Sequence, residues 1–348
     1  MWQLGDDILA DVCGCILPYH RRGCLHELGR IIELRVMVTG GAGFLGSHVV
    51  DELVLRRHSV IVVDNLSTGH QDNINSEADF YKADICDTNF DMVFKRFLPL
   101  DSVIHLAAQT SVGRSWNEPE EDLRTNIMGT VSLLQCCRRE SVHHVAFASS
   151  AAVYGDVLDR PITEEDHLCP RSPYGVSKVS AEQYLRAYAI EFGLRSCIFR
   201  FSNIYGPRQQ STGEAGVVAV FVDQLMRDCN PTIYGDGYQT RDFLYVSDAA
   251  NAIVTSVESS VHGTMNISTT IGTTITQLYK IISESLNSSM EPQFKDTRQG
   301  DVKYSILDNS RARSSMDWAP KIGIEEGIRT TIAYNASKYI GIPKKTNR

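Results

Sequence analysis

Short apolar runs alternate along this chain with longer segments in which apolar residues recur every three or four positions. The short, often β-branched runs predict buried strands, and the longer segments predict helices. The predicted strands are residues 36–38, 60–63, 79–83, 102–106, 142–148 and 196–201, and the predicted helices are residues 44–57, 119–139 and 173–192. This alternation is typical of a parallel sheet that helices cover on both faces. The pattern therefore predicts an α/β protein with a doubly wound parallel sheet.

Beyond residue 202 the pattern loosens into short strands, loops and turns such as Tyr234-Gly-Asp-Gly237. We expect residues 35–202 to form the main domain. Residues 203–336 are predicted to form mainly a smaller C-terminal α/β lobe against the ligand edge of the sheet, with some segments returning to the main domain. Residues 337–348 are predicted to be a tail.

Residues 1–34 precede the first predicted strand and do not fit the pattern. They begin without basic residues and carry Asp6, Asp7 and Asp11, which argues against a secretion signal. Their cysteines and histidines lack the Cys-x-x-Cys pairing that structural zinc sites favour, so no metal site is predicted. These residues are Cys13, Cys15, Cys24, His20 and His26. We expect a poorly ordered N-terminal extension.

The composition narrows the class of protein. The 348 residues are 43% hydrophobic and carry a formal net charge of −8, which argues against nucleic acid as a partner because phosphate backbones would be repelled. No apolar run approaches the roughly 18 residues that a membrane span needs. The nine cysteines are odd in number and scattered, which is typical of a reduced set without disulfides. We expect a soluble, cytoplasmic protein.

Three glycines mark the junction between the first predicted strand and the first predicted helix. Gly40, Gly43 and Gly46 allow a sharp turn and a close approach of pyrophosphate, to which the free amides of the helix N-terminus would donate. Asp64 ends the second strand about 20 residues further on, where a carboxylate can accept both ribose hydroxyls. A 2′-phosphate would meet a like charge there, so we predict a Rossmann-type fold that binds NAD. The alternative is that Asp64 only caps the following turn.

Tyr174 and Lys178 are four residues apart and therefore share one face of a predicted helix. An unperturbed phenol ionises near pH ~10, but the lysine ammonium and an oxidised nicotinamide would both favour the phenolate. The phenol would then serve as an acid and a base. Ser150, just past a predicted strand, could relay the proton. The alternatives are a solvated helix face for the pair and a turn or cap role for Ser150.

The motifs together resemble those of the extended short-chain dehydrogenase/reductases, specifically the nucleotide-sugar epimerase/dehydratase group. The resemblance runs from about residue 35 to about residue 336. The matching motifs are Gly40-x-x-Gly43-x-x-Gly46, Asp64, Asp84-Ile85, His105-Leu-Ala-Ala108, Ser149-Ser-Ala-Ala-Val-Tyr-Gly155, Tyr174-x-x-x-Lys178, Arg200-Phe-Ser-Asn203 and Arg241-Asp-Phe-Leu-Tyr-Val246.

The resemblance implies a role for each matching residue. Ser150, Tyr174 and Lys178 would be catalytic. Tightly bound NAD would be held by Gly40, Gly43, Phe44, Leu45, Gly46, Asp64, Asn65, Asp84, Ile85, Leu106, Ala107, Ala108, Gln109, Asn126, Ser149, Tyr174 and Lys178. A UDP-hexose would be held by Ser150, Tyr174, Asn203, Val218, Tyr234, Arg241, Arg298, Asp301 and Ser305. The two long helices would pair with their copies in a homodimer, or would only pack on the sheet.

Two alanines favour one reaction type within this group. Related dehydratases and decarboxylases usually carry an acidic residue after the serine, whereas Ala151 and Ala152 cannot do acid or base work. The resemblance therefore implies an isomerase that inverts C4 of a UDP-hexose, interconverting the glucose and galactose forms through a transient 4-keto sugar. A decarboxylase, a reductase and a non-catalytic nucleotide-sugar binding protein remain as alternatives.

Two positions depart from the pattern of hexose-restricted relatives. Thr110 stands where bacterial epimerases often carry a lysine, which leaves one cofactor phosphate contact without its usual partner. Ser305 stands where some relatives carry a bulky tyrosine near C2 of the sugar. The small side chain leaves space for an N-acetyl group, so the N-acetylhexosamine pair is a second predicted substrate.

Overall fold

The computed structural model describes residues 33–157, 160–211, 216–259, 261–297 and 301–339. Its strands are β1 (Arg35–Thr39), β2 (Ser59–Asp64), β3 (Asp79–Lys82), β4 (Ser102–His105), β5 (His144–Ser150), β6 (Arg195–Phe201), β7 (Asn203–Tyr205), β8 (Thr232–Tyr234), β9 (Thr240–Tyr245), β10 (Gly263–Ile267), β11 (Gly272–Thr274), β12 (Gln293–Lys295) and β13 (Tyr304–Ser305). Its helices are α1 (Phe44–Leu55), α2 (Phe90–Arg96), α3 (Val112–Asn117), α4 (Pro119–Leu123), α5 (Gly129–Arg139), α6 (Pro173–Phe192), α7 (Val217–Met226), α8 (Val246–Glu258), α9 (Ile275–Leu286), α10 (Ser310–Met316) and α11 (Ile324–Tyr339).

Seven parallel strands form the main sheet in the order β10-β6-β5-β4-β1-β2-β3. The chain runs outward from β1 through β2 and β3, then returns to place β4 on the other side of β1. Open sheets of this kind bind ligands at such a switch point, outside the carboxyl ends of the strands. The predicted fold class is confirmed, and the crevice lies between the ends of β1 and β4.

Helices cover both faces of this sheet, and the strands are buried accordingly. Successive residues of a strand point to opposite faces. Val36 and Val38 therefore pack in one core with α1 and α8, while Met37 packs in a second core with α2, α5 and α6. Each such residue, fully buried, contributes about 1.5–3 kcal/mol relative to exposure.

Smaller sheets follow the main one in the chain. Strands β11, β9 and β13 form one sheet, to which β7 adds on β9, and β12 pairs with β8. A third core of aromatic and aliphatic residues lies here, including Tyr205, Phe221 and Leu278. Strand β10 returns to the main sheet beside β6. The domain boundaries remain predictions, and α11 continues past the one placed at residue 336.

The structure changes several of the predicted boundaries. The predicted helix 119–139 is divided into α4, a π-helical segment at Arg124–Met128, and α5. Strand β5 extends two residues beyond its predicted end and includes both serines. Residues 1–32 and 340–348, on which the predicted extension and most of the tail fall, lie outside the described residues. Among the helices described, none has the length and apolar character to cross a membrane.

Candidate active site

The glycine turn packs directly against the end of β4. Gly40 has φ +74°, and a Cβ added there would lie 2.6 Å from the backbone N of Ala107. A Cβ at Gly46 would lie 2.0 Å from the Gly40 carbonyl oxygen. Only glycine fits at these positions, because one needs a left-handed backbone and both approach other backbone closely.

The N-terminus of α1 is open to an anion. Its capping residue is Gly43, which has no side chain to accept the first amides, and its first turn contains no acidic residue. Phe44 and Leu45 are the first two residues of this helix. A helix N-terminus with free N–H groups and a partial positive charge favours a phosphate. The turn therefore fits the pyrophosphate of NAD.

Asp64 caps a turn and leaves room for the ribose contact that was also considered from the sequence. Its carboxylate accepts hydrogen bonds from the Ala42 amide, at 3.0 Å, and from the Leu66 amide, at 2.8 Å. It therefore caps the turn that follows β2. A carboxylate has about four acceptor positions, so two remain for ribose hydroxyls. The bond to Ala42 holds Asp64 beside the glycine turn.

Asp84 and Asn65 are paired at the ends of neighbouring strands. Asn65 donates to Asp84 over 2.9 Å, and the Cys86 amide donates to the other carboxylate oxygen over 2.8 Å. Partial burial acts to raise the pKa of Asp84, but these hydrogen bonds outweigh it and lower the pKa. Ile85 is buried between them and packs against Gly129. Asp84 therefore stays ionised at neutral pH.

A buried asparagine organises the loop that follows β4. Asn126 accepts from the Gln109 amide over 2.8 Å and donates to the Gln109 carbonyl over 2.9 Å. It also donates to Ser177 on α6 over 3.0 Å. Its place in the π-helical segment fits the common occurrence of π-bulges at functional sites. Leu106, Ala107 and Ala108 belong to the same loop. With Gln109 and Asn126 they form the predicted wall of the cofactor site, here called the cofactor wall, and Asn126 links this wall to α6.

Tyr174 lies buried in the first turn of α6. Ser172 starts the helix by accepting the Gly175 amide over 3.1 Å. Burial raises the pKa of Tyr174 to about 12, while its hydrogen bond with Ser150 acts to lower it and Asp122 acts to raise it. The lysine and an oxidised nicotinamide were expected to favour the phenolate together. The residues of this site by themselves favour the neutral phenol instead.

Lys178 lies buried beside the phenol. Its ammonium lies 5.9 Å from the centre of the Tyr174 ring and 4.8 Å from that of Phe147, and it donates to the Ala148 carbonyl over 2.9 Å. Burial lowers the pKa of Lys178 to about 8, although Asp122 and Glu182 act to raise it. The lysine is thus a buried cation beside the tyrosine ring, and it is mostly protonated at neutral pH.

The two serines at the end of β5 face different partners. The Ser150 hydroxyl accepts from the Ala152 amide over 3.2 Å and also hydrogen-bonds with Tyr174. It is therefore both a turn cap and a partner of the phenol. The Ser149 hydroxyl donates to Glu182 over 2.6 Å. The Ser149 hydroxyl is therefore bound to a buried carboxylate of α6, and its contact with the cofactor stays a prediction.

Several buried groups that sequence reasoning did not single out support this site. Glu182 follows Lys178 by four residues, a spacing that could have drawn attention to it, and Asp122 precedes Asn126 by four. His105 is hydrogen-bonded to Thr39 over 2.8 Å and to Thr130 over 3.0 Å. Burial, together with Lys178, lowers the pKa of His105 to about 3, so this ring is neutral and structural.

Four of the nine predicted substrate residues lie on strands of the smaller sheets, namely Asn203, Tyr234, Arg241 and Ser305. Arg241 on β9 forms an ion pair with Asp301 and donates to the Thr240 carbonyl over 3.0 Å. Burial lowers the pKa of Arg241, and Asp301 opposes that change. Ser305 is the register partner of Arg241 on β13 and is buried. These three residues therefore form one group.

The remaining substrate residues are more scattered. Asn203 is exposed at the start of β7, opposite Phe243 of β9. Val218 is fully buried in the third core, and Tyr234 ends β8. Arg298 lies outside the described residues. In the part of the chain that the structure describes, no group of three or more His, Cys, Asp or Glu could hold a metal ion.

Comparison with known proteins places this site in a family. A model of the family described as GDP-mannose 4,6 dehydratase matches residues 37–331. The chain belongs to this family. Membership confirms the resemblance to the epimerase/dehydratase group, since the match spans the glycine turn, the tyrosine and lysine pair, and the strands that carry Arg241.

Curated members of the family include epimerases and decarboxylases. A UDP-glucose 4-epimerase of Mycolicibacterium smegmatis is 38% identical over 312 residues, which cover 88% of this chain and 99% of that protein. UDP-glucuronic acid decarboxylase 1 of Arabidopsis thaliana is 34% identical over 301 residues, which cover 85% of this chain and 68% of that protein.

Solved structures of family members superimpose on most of the chain. UDP-glucose 4-epimerase of Thermotoga maritima with UDP-glucose is 42% identical, with a TM-score of 0.85 over 88% of this chain and 99% of that one. UDP-glucose 4-epimerase of Thermus thermophilus with NAD is 37% identical, with a TM-score of 0.82 over 86% and 98%. UDP-N-acetylglucosamine 4-epimerase of Methanobrevibacter ruminantium with UDP-N-acetylmuramic acid is 35% identical, with a TM-score of 0.84 over 88% and 99%.

Proposed function

We propose that this chain is an NAD-dependent isomerase that interconverts UDP-glucose and UDP-galactose by inversion at C4. One observation carries the proposal above the others. Gln109, in the wall of the cofactor site, is bound to Asn126, which is bound to Ser177, and Ser177 lies between Tyr174 and Lys178 on α6. Ser177 in turn donates to the backbone carbonyl of Tyr174 over 2.9 Å. The helical turn that carries the phenol and the cofactor wall are therefore parts of one hydrogen-bonded structure.

The mechanism uses the site's residues to move a proton while C4 changes its oxidation state. NAD, when bound, accepts a hydride from C4 and returns it. Tyr174 takes the proton of the C4 hydroxyl, directly or through Ser150. It gives the proton back after the 4-keto sugar has rotated in the pocket and presents its opposite face. Arg241 holds the diphosphate meanwhile, since a guanidinium forms charge-assisted hydrogen bonds with phosphate oxygens.

The pKa values of the site fit a Tyr174 phenol that gives up its proton only when NAD is bound. In the protein itself, burial keeps the pKa of Tyr174 at about 12, above that of an ordinary phenol. A positive charge on the nicotinamide side of the ring would favour the phenolate. Lys178, with a pKa of about 8, remains mostly charged at neutral pH and would hold the ribose hydroxyls of the bound cofactor.

Decarboxylation is disfavoured by the residues that follow Ser150. Ala151 and Ala152 form a short 3-10 turn at the end of β5 and present no acidic group to the sugar. The relatives named as epimerases are also more similar to this chain, at 42% and 38% identity, than the decarboxylase at 34%. Release of CO₂ from UDP-glucuronic acid by the purified protein would reverse this assignment.

Ser305 supports a wider range of sugars. Its small, buried side chain lies beside Arg241, the proposed anchor of the diphosphate. We infer that UDP-N-acetylglucosamine is also a substrate. Ser305→Tyr should abolish turnover of the acetamido sugar and preserve turnover of UDP-glucose, while Ser305→Ala should preserve both. Failure of the wild-type protein to convert the acetamido sugar while it converts UDP-glucose would remove this inference.

The faces of two helical segments support a homodimer. Leu123 of α4, Met128 of the π-helical segment, and Val176 and Tyr184 of α6 are large apolar side chains that are exposed in the single chain. We infer that they meet their copies across a two-fold axis, because such patches mark interfaces. Met128→Glu should give a monomer in sedimentation, whereas Leu55→Glu on the exposed side of α1 should not. A monomeric wild type at micromolar concentration would contradict this inference.

The cysteines support a cytoplasmic location. The six that the structure describes are all free thiols, and Cys136 and Cys137 are buried. Burial also raises the pKa of Cys197 to about 12, which keeps that thiol unreactive. We infer that the protein resides in a reducing compartment. Cell fractionation would test this, and recovery with an extracytoplasmic marker would contradict it.

The decisive experiment tests reaction and cofactor together. The purified protein is incubated with UDP-glucose, UDP-galactose and their N-acetyl counterparts without added NAD, and inversion at C4 is followed by NMR. Conversion to an equilibrium mixture, with NAD extracted from the protein after denaturation, is the expected result. Binding of UDP-hexoses without conversion, in a protein that holds NAD, would identify a binding protein instead.

A further inference from the structure

Asp122 is a buried carboxylate behind the catalytic pair. It is 1% exposed, although it lies on the short, largely exposed helix α4. One of its oxygens accepts from the Gln109 side chain over 2.8 Å and from the Asn126 side chain over 3.1 Å. Gln109 and Asn126 belong to the cofactor wall, so the Asp122 carboxylate holds two residues of that wall together.

The charge of Asp122 has no ion-paired cation among the described residues. Among the described residues it forms no ion pair, and its hydrogen-bond partners are neutral amides. Glu182, the other buried carboxylate near Lys178, is already paired with Arg200 over 2.6 Å. The helix that carries Asp122 packs against α6, and the carboxylate attracts the buried ammonium of Lys178.

Other groups around the pair contribute less charge. From β4, His105 is neutral at all ordinary pH values. From β5, Ser150 offers a neutral hydroxyl to Tyr174. From α6, the charge of Glu182 is balanced by Arg200 of β6. On the segment of Asp122 itself, Glu121 is directed to Arg124 at 3.6 Å and is partly exposed.

We propose that Asp122 is a positioning residue whose buried carboxylate fixes the cofactor wall through Gln109 and Asn126 and places a negative charge beside the turn of α6 that carries Tyr174 and Lys178. This inference rests on the proposed function, because it assigns Asp122 a part in the same proton transfer. A buried negative charge disfavours the phenolate and favours the ammonium. Both groups accordingly respond to Asp122 in the same direction, towards a higher pKa.

Asp122→Asn tests the proposal, because it keeps a side-chain oxygen for both amides and removes only the charge. The pH profile of kcat/KM should keep its bell shape, and both limbs should move to lower pH by about one unit. Glu121→Gln removes a neighbouring, partly exposed carboxylate and should leave both limbs in place. A lower maximum with unmoved limbs in Asp122→Asn would show a merely structural role and overturn the proposal.

A second pair of variants protects the test against misfolding. Asp122→Glu keeps the charge and Asp122→Gln is its uncharged counterpart, so their comparison isolates charge at equal side-chain length. In Asp122→Glu, both limbs of the pH profile of kcat/KM should lie at higher pH than in Asp122→Gln. Limbs at the same pH in the two variants would overturn the proposal. Thermal unfolding and extracted NAD report whether each variant is folded and loaded.

A readout without turnover separates this inference from the proposed function. The ionisation of Tyr174 is followed by ultraviolet titration of the phenolate, with Tyr174→Phe in the same background as the reference. Asp122→Asn should ionise at lower pH than wild type by about one unit. An unchanged titration would overturn the role of Asp122 even in an active epimerase, whereas a shifted titration in an inactive protein would overturn the proposed function alone.

Discussion

The guanidinium of Arg200 and the carboxylate of Glu182 form a doubly hydrogen-bonded ion pair that is almost fully buried. The two contacts measure 3.0 and 2.6 Å, and the two side chains are 1% and 0% exposed. Arg200 also donates to the Tyr154 hydroxyl over 2.8 Å. Glu182 lies one turn beyond Lys178, so the pair anchors the catalytic helix α6 to β6.

Removal of one partner from this pair should destabilise the protein strongly. In Arg200→Met, Glu182 would be left as an uncompensated buried charge, and we expect a loss of about 3–5 kcal/mol in the free energy of unfolding. Arg186→Gln is the matched control, because Arg186 reaches the same carboxylate at 3.5 Å from an exposed position. Its expected effect is within about 0.5 kcal/mol. Denaturant titration measures both, and equal losses would contradict the prediction.

The phenol of Tyr174 should be needed for turnover and not for binding. Tyr174→Phe is expected to lower kcat by roughly 10²-fold or more, the scale of lost acid and base catalysis. NAD content and UDP affinity should stay at their wild-type levels. Tyr188→Phe, near the other end of the same helix, should change neither quantity. Wild-type turnover in Tyr174→Phe would remove the phenol from the mechanism.

A methyl group at the glycine turn should expel the cofactor. Gly46→Ala places a Cβ 2.0 Å from the Gly40 carbonyl oxygen, whereas Gly323→Ala places one with nothing within 4 Å. We expect Gly46→Ala to be purified with little NAD and Gly323→Ala with the wild-type amount. The NAD released on acid denaturation measures this. Full occupancy in Gly46→Ala would show that the turn is not the pyrophosphate site.

The buried lysine should leave a signature in the pH dependence of stability. Burial lowers the pKa of Lys178 from 10.5 in the unfolded chain to about 8. Between these values the unfolded chain binds the proton and the folded one does not, so stability rises with pH. The buried ammonium therefore destabilises the folded protein fully below pH ~8, and this destabilisation is absent above pH ~10.5.

Lys178→Met carries no charge at this position, so its free energy of unfolding should fall relative to that of wild type as the pH rises. The difference between the two free energies of unfolding should change by up to about 3 kcal/mol from pH 7 to pH 10.5. Lys280→Met, at an exposed lysine of α9, is the control and should show no such change. A constant difference for Lys178→Met would mean that the lysine is not buried as a cation.

Arg241 should govern affinity for the nucleotide sugar. Arg241→Gln removes a buried guanidinium, and loss of charge-assisted hydrogen bonds of about 1.5–3 kcal/mol corresponds to a rise in KM of roughly ten- to a hundredfold. kcat should change little, because the same contact is made throughout the cycle. Arg227→Gln, at an exposed arginine paired with Asp223, should leave KM unchanged. A fall in kcat without a change in KM would contradict the assignment.

Local patterns account for much of the fold. The spacing of apolar residues predicted α6 with both of its ends correct, at Pro173 and Phe192. The period of a helix or strand is a property of neighbouring residues, so the sequence displays it directly. The glycine turn was also predictable, because its residue types are required by backbone geometry over a few positions.

Long-range contacts account for what was missed. The π-helical segment interrupts an apolar pattern that reads as one helix, and it is seen only where Asn126 bonds with Gln109 and Ser177. Burial of the phenol, which raises the pKa of Tyr174 to about 12, depends on packing from several elements.

The sequence by itself determined the alternation of strands and helices in the main sheet, the glycine turn and the shared helix face of Tyr174 and Lys178, because each of these depends on residues within a few turns of one another. Only the tertiary structure decided the pairing of Ser305 with Arg241, the buried ion pair of Glu182 and the position of Asp122 behind the phenol. Distances and dielectric surroundings between elements are properties of packing, and no local pattern encodes them.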